Sequence, residues 1–164
     1  MHALKKNRDS WLFEKANEIV GFYTREFYCL DNFSAFKITY KDHKYSTVEE
    51  AYQALGFIDT APEIAKAIID SGSAHDAQRI AHENAEKRRA DWDEMKVSLM
   101  EELLRAKLSQ HPYVKKKLLE TGDLPIVEDS PKDSFWGWGP NRDGKNELGK
   151  LWMKLRTELR NAKS

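Results

Sequence analysis

Residues 91–110 read DWDEMKVSLMEELLRAKLSQ. Trp92, Met95, Leu99, Leu103 and Ala106 recur at steps of three and four, flanked by Met100, Leu104 and Lys107. That spacing lines apolar side chains along one face of a helix, and it is the clearest helical signal in the chain. Pro112 limits this helix and starts a shorter one that ends near Thr121 and Gly122. Further on, NELGKLWMKLRTELR (146–160) places Leu148, Leu151, Trp152, Leu155 and Leu159 on one stripe, which predicts an amphipathic final helix. Upstream, Ser46 or Thr47 can cap a helix through VEEAYQALGFI (48–58), with acids in the first turn where the helix dipole favours them. Ala61 and Pro62 open another helix, EIAKAIIDS (63–71), and Gly72 ends it.

The start of the chain has a different texture. IVGFYTREFYCL (19–30) and AFKITYKDHKY (35–45) are rich in β-branched and aromatic residues, with the turn-like DNFS between them. They read as a small antiparallel unit. LPIVE (124–128) is a short extended segment. Residues 1–18 form a polar N-terminal extension, and residues 19–164 form one domain. The expected fold is mainly α, a single multihelical domain with a small antiparallel β element near the N-terminus.

A length of 164 residues suits one sizeable core, and 40% apolar with 33% charged residues is ordinary for a soluble globular protein. No apolar run approaches the ~20 residues that cross a bilayer, so no membrane association is expected. The N-terminus carries no stretch resembling a secretory signal, and the one cysteine, Cys29, suits a reducing compartment. The expected location is cytoplasmic. Lys plus Arg and Asp plus Glu balance at 27 each, so no global field draws the chain to nucleic acid. The basic runs at 87–89 and 115–117 read as solvated faces.

Metal chemistry has no support in the sequence. The five histidines, His2, His43, His75, His82 and His111, are scattered, and neither HExxH nor CxxC occurs. WGWGPNRDG (136–144) lacks the GxGxxG spacing and the preceding long strand of a dinucleotide site, so no cofactor is expected. What remains is carboxylates near aromatic residues. Glu49 and Glu50 open one helix, Trp92 opens the longest, and Asp133 precedes Phe135-Trp136-Gly137. Taken singly, each has a plain structural role: helix dipole, core anchor, turn cap. Together they are the parts of a nucleoside or nucleotide pocket. Cleavage of an N-glycosidic bond develops positive charge on the sugar, which a carboxylate stabilises, while flat rings hold a base. Glycines before the helix at Asn146 allow close backbone approach to phosphate or ribose.

The order of these motifs resembles the NADAR, or YbiA-like, family. The matching pieces are FY at 22–23, LDNFS at 30–34, TVEEAYQALGF at 47–57, ADWDEMKVSLMEELLRAKL at 90–108 and LLETGDLPIVEDSPKDSFWGWGPNRDGKNELGKLWMKLR at 118–156. The resemblance implies a mainly helical fold and N-glycoside hydrolase activity. Two substrate classes are associated with the family: a ribosylamino-pyrimidine phosphate intermediate of riboflavin synthesis, and ADP-ribose attached to guanine in nucleic acid. The implied partner is therefore a nucleotide-like small molecule or ADP-ribosylated nucleic acid, with no obligatory protein partner evident.

Carried over residue by residue, the resemblance assigns catalytic roles to Glu49 and Asp133. Glu49 would handle ribose hydroxyls or the developing charge, and Asp133 would orient water or assist the leaving group. Substrate-binding roles fall on Asn32, Phe33, Trp92, Trp136, Gly137, Gly144, Asn146 and Arg156. Two positions depart from the family pattern. Glu50 stands where histidine is common, and Gly56 stands where a Q-A-x-K pattern commonly has lysine. Glycine supplies neither charge nor nucleophile and costs about 1 kcal/mol relative to alanine in a helix interior. The alternative reading is a non-catalytic module that binds ADP-ribose-like nucleotides.

Overall fold

The computed structural model describes residues 19–22 and 25–162. The N-terminal extension and Tyr23 of the FY pair lie outside the described residues. In chain order the elements are β1 (Val20–Gly21), a 3-10 helix (Arg25–Leu30), β2 (Ile38–Tyr40), β3 (His43–Tyr45), α1 (Val48–Leu55), α2 (Pro62–Asp70) and α3 (Ala74–Glu83). A 3-10 turn (Ala85–Lys87), α4 (Trp92–Gln110), α5 (Pro112–Glu120), β4 (Ile126–Val127) and α6 (Glu147–Ala162) follow. The fold is mainly α, as expected. The chain divides into two compact units, residues 32–112 and residues 1–31 with 113–164.

In the 32–112 unit, β2 and β3 form an antiparallel hairpin that pairs Ile38 with Tyr45 and Tyr40 with His43. Lys41 and Asp42 make its two-residue turn with φ of 49° and 66°, the left-handed pair that matches strand twist. Beyond the hairpin, Thr47 caps α1 by accepting the Glu50 N–H at 3.0 Å, and the Glu50 carboxylate accepts the Ser46 N–H at 2.6 Å. This reciprocal arrangement is a capping box displaced by one residue. α1 then packs against α2, α3 and α4, and every residue from Val48 to Ala54 is buried. α2 starts on Pro62. α4 buries Trp92, Leu99, Met100, Leu103, Leu104 and Leu108 along the expected face. Its Lys107 is fully buried too, with Nζ donating to Ser34 Oγ at 2.9 Å above the Phe36 ring. Gln110 continues the hairpin edge, because its amide both accepts from and donates to the Thr39 backbone at 2.8 Å.

In the other unit, β1 pairs with β4 in parallel, Val20 with Ile126 and Gly21 with Val127. α6 lies against β4, with Gly149 seated on the Ile126 carbonyl. Trp152 is completely buried, and its indole N–H donates to the Leu30 carbonyl at 2.9 Å.

Two expectations change. The stretches at 19–30 and 35–45 do not pair with each other. The first uses its backbone N–H groups on Pro125 and Val127, and the second folds back on itself through the Lys41-Asp42 turn. α3 is a helix that periodicity did not reveal, since its inner face is only Ala74, Ala77 and Ala81. Ser73 is its cap, accepting the Asp76 N–H at 3.0 Å.

Gly149 offers a test of this packing. A Cβ there would collide with the Ile126 carbonyl and the Asn146 amide. Gly149→Ala is expected to lower the unfolding free energy in urea by about 2–3 kcal/mol. Unchanged stability would mean that α6 does not press on β4 in this way.

Candidate active site

Within the 32–112 unit, α1 carries a chain of polar groups through an otherwise apolar interior. The Glu49 N–H donates to the Asn32 carbonyl at 3.1 Å, which ties the helix start to the preceding loop. Four residues on, Gln53 Nε2 donates to Glu49 Oε1 at 2.8 Å. Gln53 Oε1 in turn accepts from an Arg88 guanidinium nitrogen at 3.1 Å. The Arg88 guanidinium lies 5.1 Å from the Trp92 ring centroid and 5.3 Å from that of Phe57. Tyr52 meets Trp92 with centroids 4.8 Å apart. Glu49 and Trp92 thus belong to one contiguous cluster, joined through Gln53 and Arg88.

Neither connecting residue was singled out from the sequence. Gln53 was visible as the i+4 neighbour of Glu49 on one helix face. Arg88 sat inside the basic run at 87–89, and that run is not uniformly solvated. Lys87 is exposed and Arg89 pairs with Asp91 at 2.6 Å, whereas Arg88 is half-buried with its Nε shut off from water. Burial lowers its pKa, while Tyr52, Asp93 and Glu49 pull it back up. Glu50, at the position of the family histidine, is committed to the Ser46 cap, and burial raises its pKa. Asn32 is buried and donates to Met100 Sδ at 3.5 Å, leaving its Oδ1 without a hydrogen-bond partner. The Phe33 ring packs edge-on against His75 at 4.8 Å.

In the other unit, the DSFWGWGPNRDGKNELG segment (133–149) is a loop folded tightly on itself. Asp133 Oδ1 accepts the N–H groups of Phe135 and Trp136 at 2.9 and 2.8 Å. Trp136 is half-buried, with Phe135 set perpendicular to it at 4.9 Å. A Cβ on Gly144 would lie 2.5 Å from the Gly137 carbonyl and 2.7 Å from that of Ser134, so the backbone passes where no side chain fits. The N–H groups of Gly144, Lys145, Asn146, Glu147 and Leu148 all donate to carbonyls of the same loop. The start of α6 is therefore capped from within, and those N–H groups are not directed at a phosphate. Asn146, at φ 52°, holds the Glu128 N–H and the Ile126 carbonyl, each at 2.9 Å. Arg156 donates to Thr121 Oγ1 at 2.9 Å and to the Leu124 carbonyl at 2.7 Å.

This loop encloses Glu128, which the sequence marked only as the end of an extended segment. Gly137 presses on the Glu128 carboxyl so closely that a Cβ would overlap its Oε2. The Trp138 N–H donates to the Glu128 carbonyl at 2.8 Å. Burial pushes the Glu128 pKa up to about 8, helped by the charges of Asp31, Asp133 and Asp129 and opposed by the Ser130 N–H on Oε2. A carboxyl in this state keeps its proton at neutral pH and can donate it.

The NADAR domain family profile matches residues 13–160. An N-glycosidase of Nostoc punctiforme is 37% identical over 134 residues, covering 81% of this chain and 86% of that protein. The N-glycosidase YbiA of Escherichia coli is 32% identical over 143 residues, covering 86% of this chain and 88% of YbiA. A riboflavin biosynthesis protein of Vibrio vulnificus is 35% identical over 130 residues, which is 79% of this chain but 35% of that longer protein. The solution structure of Escherichia coli YbiA superposes with a TM-score of 0.80 at 32% identity, over 89% of this chain and 87% of that one. Among the described residues, no helix is long and apolar enough to cross a membrane.

Glu128 sets a pH dependence whose sign is fixed. Its pKa is about 8 in the folded chain against 4.5 for an unperturbed glutamate. Across that window an unfolded chain releases the proton while the folded one retains it, so the residue increasingly opposes folding as pH rises. Glu128→Gln is expected to melt with wild type at acid pH and several degrees above it in mildly alkaline buffer. A variant that melts lower at alkaline pH would contradict the protonated state.

Proposed function

The chain belongs to the NADAR domain family, and from that premise we propose that it is an N-glycoside hydrolase acting on a ribosylated nucleobase. The substrate is ADP-ribosylated guanine in nucleic acid or a ribosylamino-pyrimidine phosphate of riboflavin synthesis. The observation that carries the reading is the set of polar groups in the 32–112 unit, where buried Glu49 connects through Gln53 to Arg88 beside the Tyr52–Trp92 platform. A carboxylate with a flat aromatic surface nearby suits a sugar joined to a base.

In the reaction, the bond between the anomeric carbon and the base nitrogen breaks, and its electron pair leaves with the base. Water adds to the anomeric carbon and gives up a proton, while the departing nitrogen takes one. Glu49 stabilises the positive charge that develops on the sugar. Asp133 keeps the water-orienting role through its second oxygen, since Oδ1 already holds two backbone N–H groups. Trp92 and Trp136 offer stacking faces, and Asn32 supports substrate binding. Gly137, Gly144 and Asn146 shape the loop that carries Asp133. Phe33 and Arg156 support substrate binding through the segments they anchor.

The test is direct. Each substrate is incubated with the protein, and released base and sugar are followed by liquid chromatography and mass spectrometry. Release from at least one is expected, with Glu49→Gln lowering kcat by about 100-fold or more. Failure to cleave either, together with a rise in melting temperature on adding ADP-ribose, would replace the hydrolase with a binding module.

A further inference from the structure

Gly56 and Arg88 occupy one piece of space. Gly56 has φ −73° and ψ −17°, ordinary right-handed values open to any residue, so backbone conformation does not call for glycine here. The neighbours do. A Cβ at position 56 would lie 3.1 Å from Arg88 Cγ and 3.3 Å from the Trp92 ring. The aliphatic stem of Arg88 runs across the bare Cα of residue 56, so a side chain at 56 would press on the observed Arg88 conformation and require it to shift. The backbone reinforces this approach, since the Arg89 N–H donates to the Gly56 carbonyl at 2.9 Å.

The guanidinium delivered by that stem is incompletely matched. One nitrogen donates to Gln53, and the faces lie against Trp92 and Phe57. Nε is buried without a hydrogen-bond partner. Among the described residues no carboxylate forms an ion pair with Arg88; Glu49, Tyr52 and Asp93 act on it only from a distance. Withdrawing a cation from water without a counter-charge is costly. A rigid planar fork with free N–H groups fits the oxygens of a phosphate.

We propose that Arg88, whose stem packs over the bare backbone of Gly56, is the residue that binds the phosphate of the ribosyl group. The proposal rests on the ribosylated-substrate reading, since both substrate classes carry a phosphorylated ribose. It replaces a flexible amine at position 56 with a fixed guanidinium entering from the loop before α4. Position 56 then has no nucleophile, and its contribution is recognition rather than covalent chemistry.

Calorimetric titration with ribose 5-phosphate, ADP-ribose and unphosphorylated ribose tests it on wild type, Arg88→Met and Arg88→Lys. Methionine keeps a stem over Gly56 and removes the fork, and a melting curve checks that it folds. Arg88→Met is expected to weaken ribose 5-phosphate at least tenfold and to abolish its preference over ribose, with Arg88→Lys recovering part of the loss. Equal affinity of Arg88→Met and wild type for ribose 5-phosphate overturns the proposal, as does failure of wild type to bind it. The two readings fail separately. If wild type cleaves neither substrate but Arg88→Met loses ribose 5-phosphate, the hydrolase falls and the phosphate site stands. If base is released while Arg88→Met binds like wild type, the hydrolase stands and the phosphate site falls.

Discussion

Burial of α1 on almost every side is the constraint from which the 32–112 unit follows. A helix of eight residues that carries two glutamates and a glutamine has no water to satisfy them. Each must find a partner in the protein, and the three solve the problem differently. Glu50 turns back to the Ser46 N–H and becomes part of the cap. Glu49 and Gln53 bond to each other one turn apart, and Gln53 passes the demand on to Arg88. A helix buried for packing thereby becomes a conduit that delivers a carboxylate and a guanidinium to the same aromatic surface. The acids of the first turn still favour the helix dipole, but that describes Glu50 better than Glu49.

Glycine plays two different parts in this chain. In the 133–149 loop it lets backbone approach backbone, and the N–H groups that such loops offer to phosphates elsewhere are used internally. The product of that close packing is a carboxyl stripped of water, Glu128, under the pressure of Gly137. At position 56 glycine makes room for a side chain arriving from another segment. The loop keeps a carboxyl protonated by exclusion of water, and at position 56 the bare backbone lies under the stem of Arg88.

Legibility in the sequence followed the range of the interactions. The apolar stripes of α4 and α6, the Thr47 cap and the Pro62 start depend on residues within a turn or two of each other, and they were readable as such. α3 escaped because three alanines make a weak stripe, although Ser73 and Asp76 carried the capping signal. The strand pairing of residues 19–30 is not legible locally because the partner of Val20 is Ile126, far along the chain. Of the candidate site, Glu49 and Trp92 were found through motif order, while Gln53, Arg88 and Glu128 were not. Their chemistry comes from dehydration and neighbours, and neither leaves a local pattern.

By itself the sequence determined where the capped and striped helices lie, α3 excepted, because caps, prolines and periodicity act over a few residues. It also determined the family, through five motifs in a set order. Only the tertiary structure decided which charges lose their water. Of three consecutive basic residues, Lys87 is exposed, Arg89 is paired at the surface, and Arg88 is drawn against Trp92. Of the acids near the loop, Glu128 is the one pressed into holding its proton. Solvent exclusion is a property of all the atoms around a group, and those atoms come from segments that the chain order does not bring together.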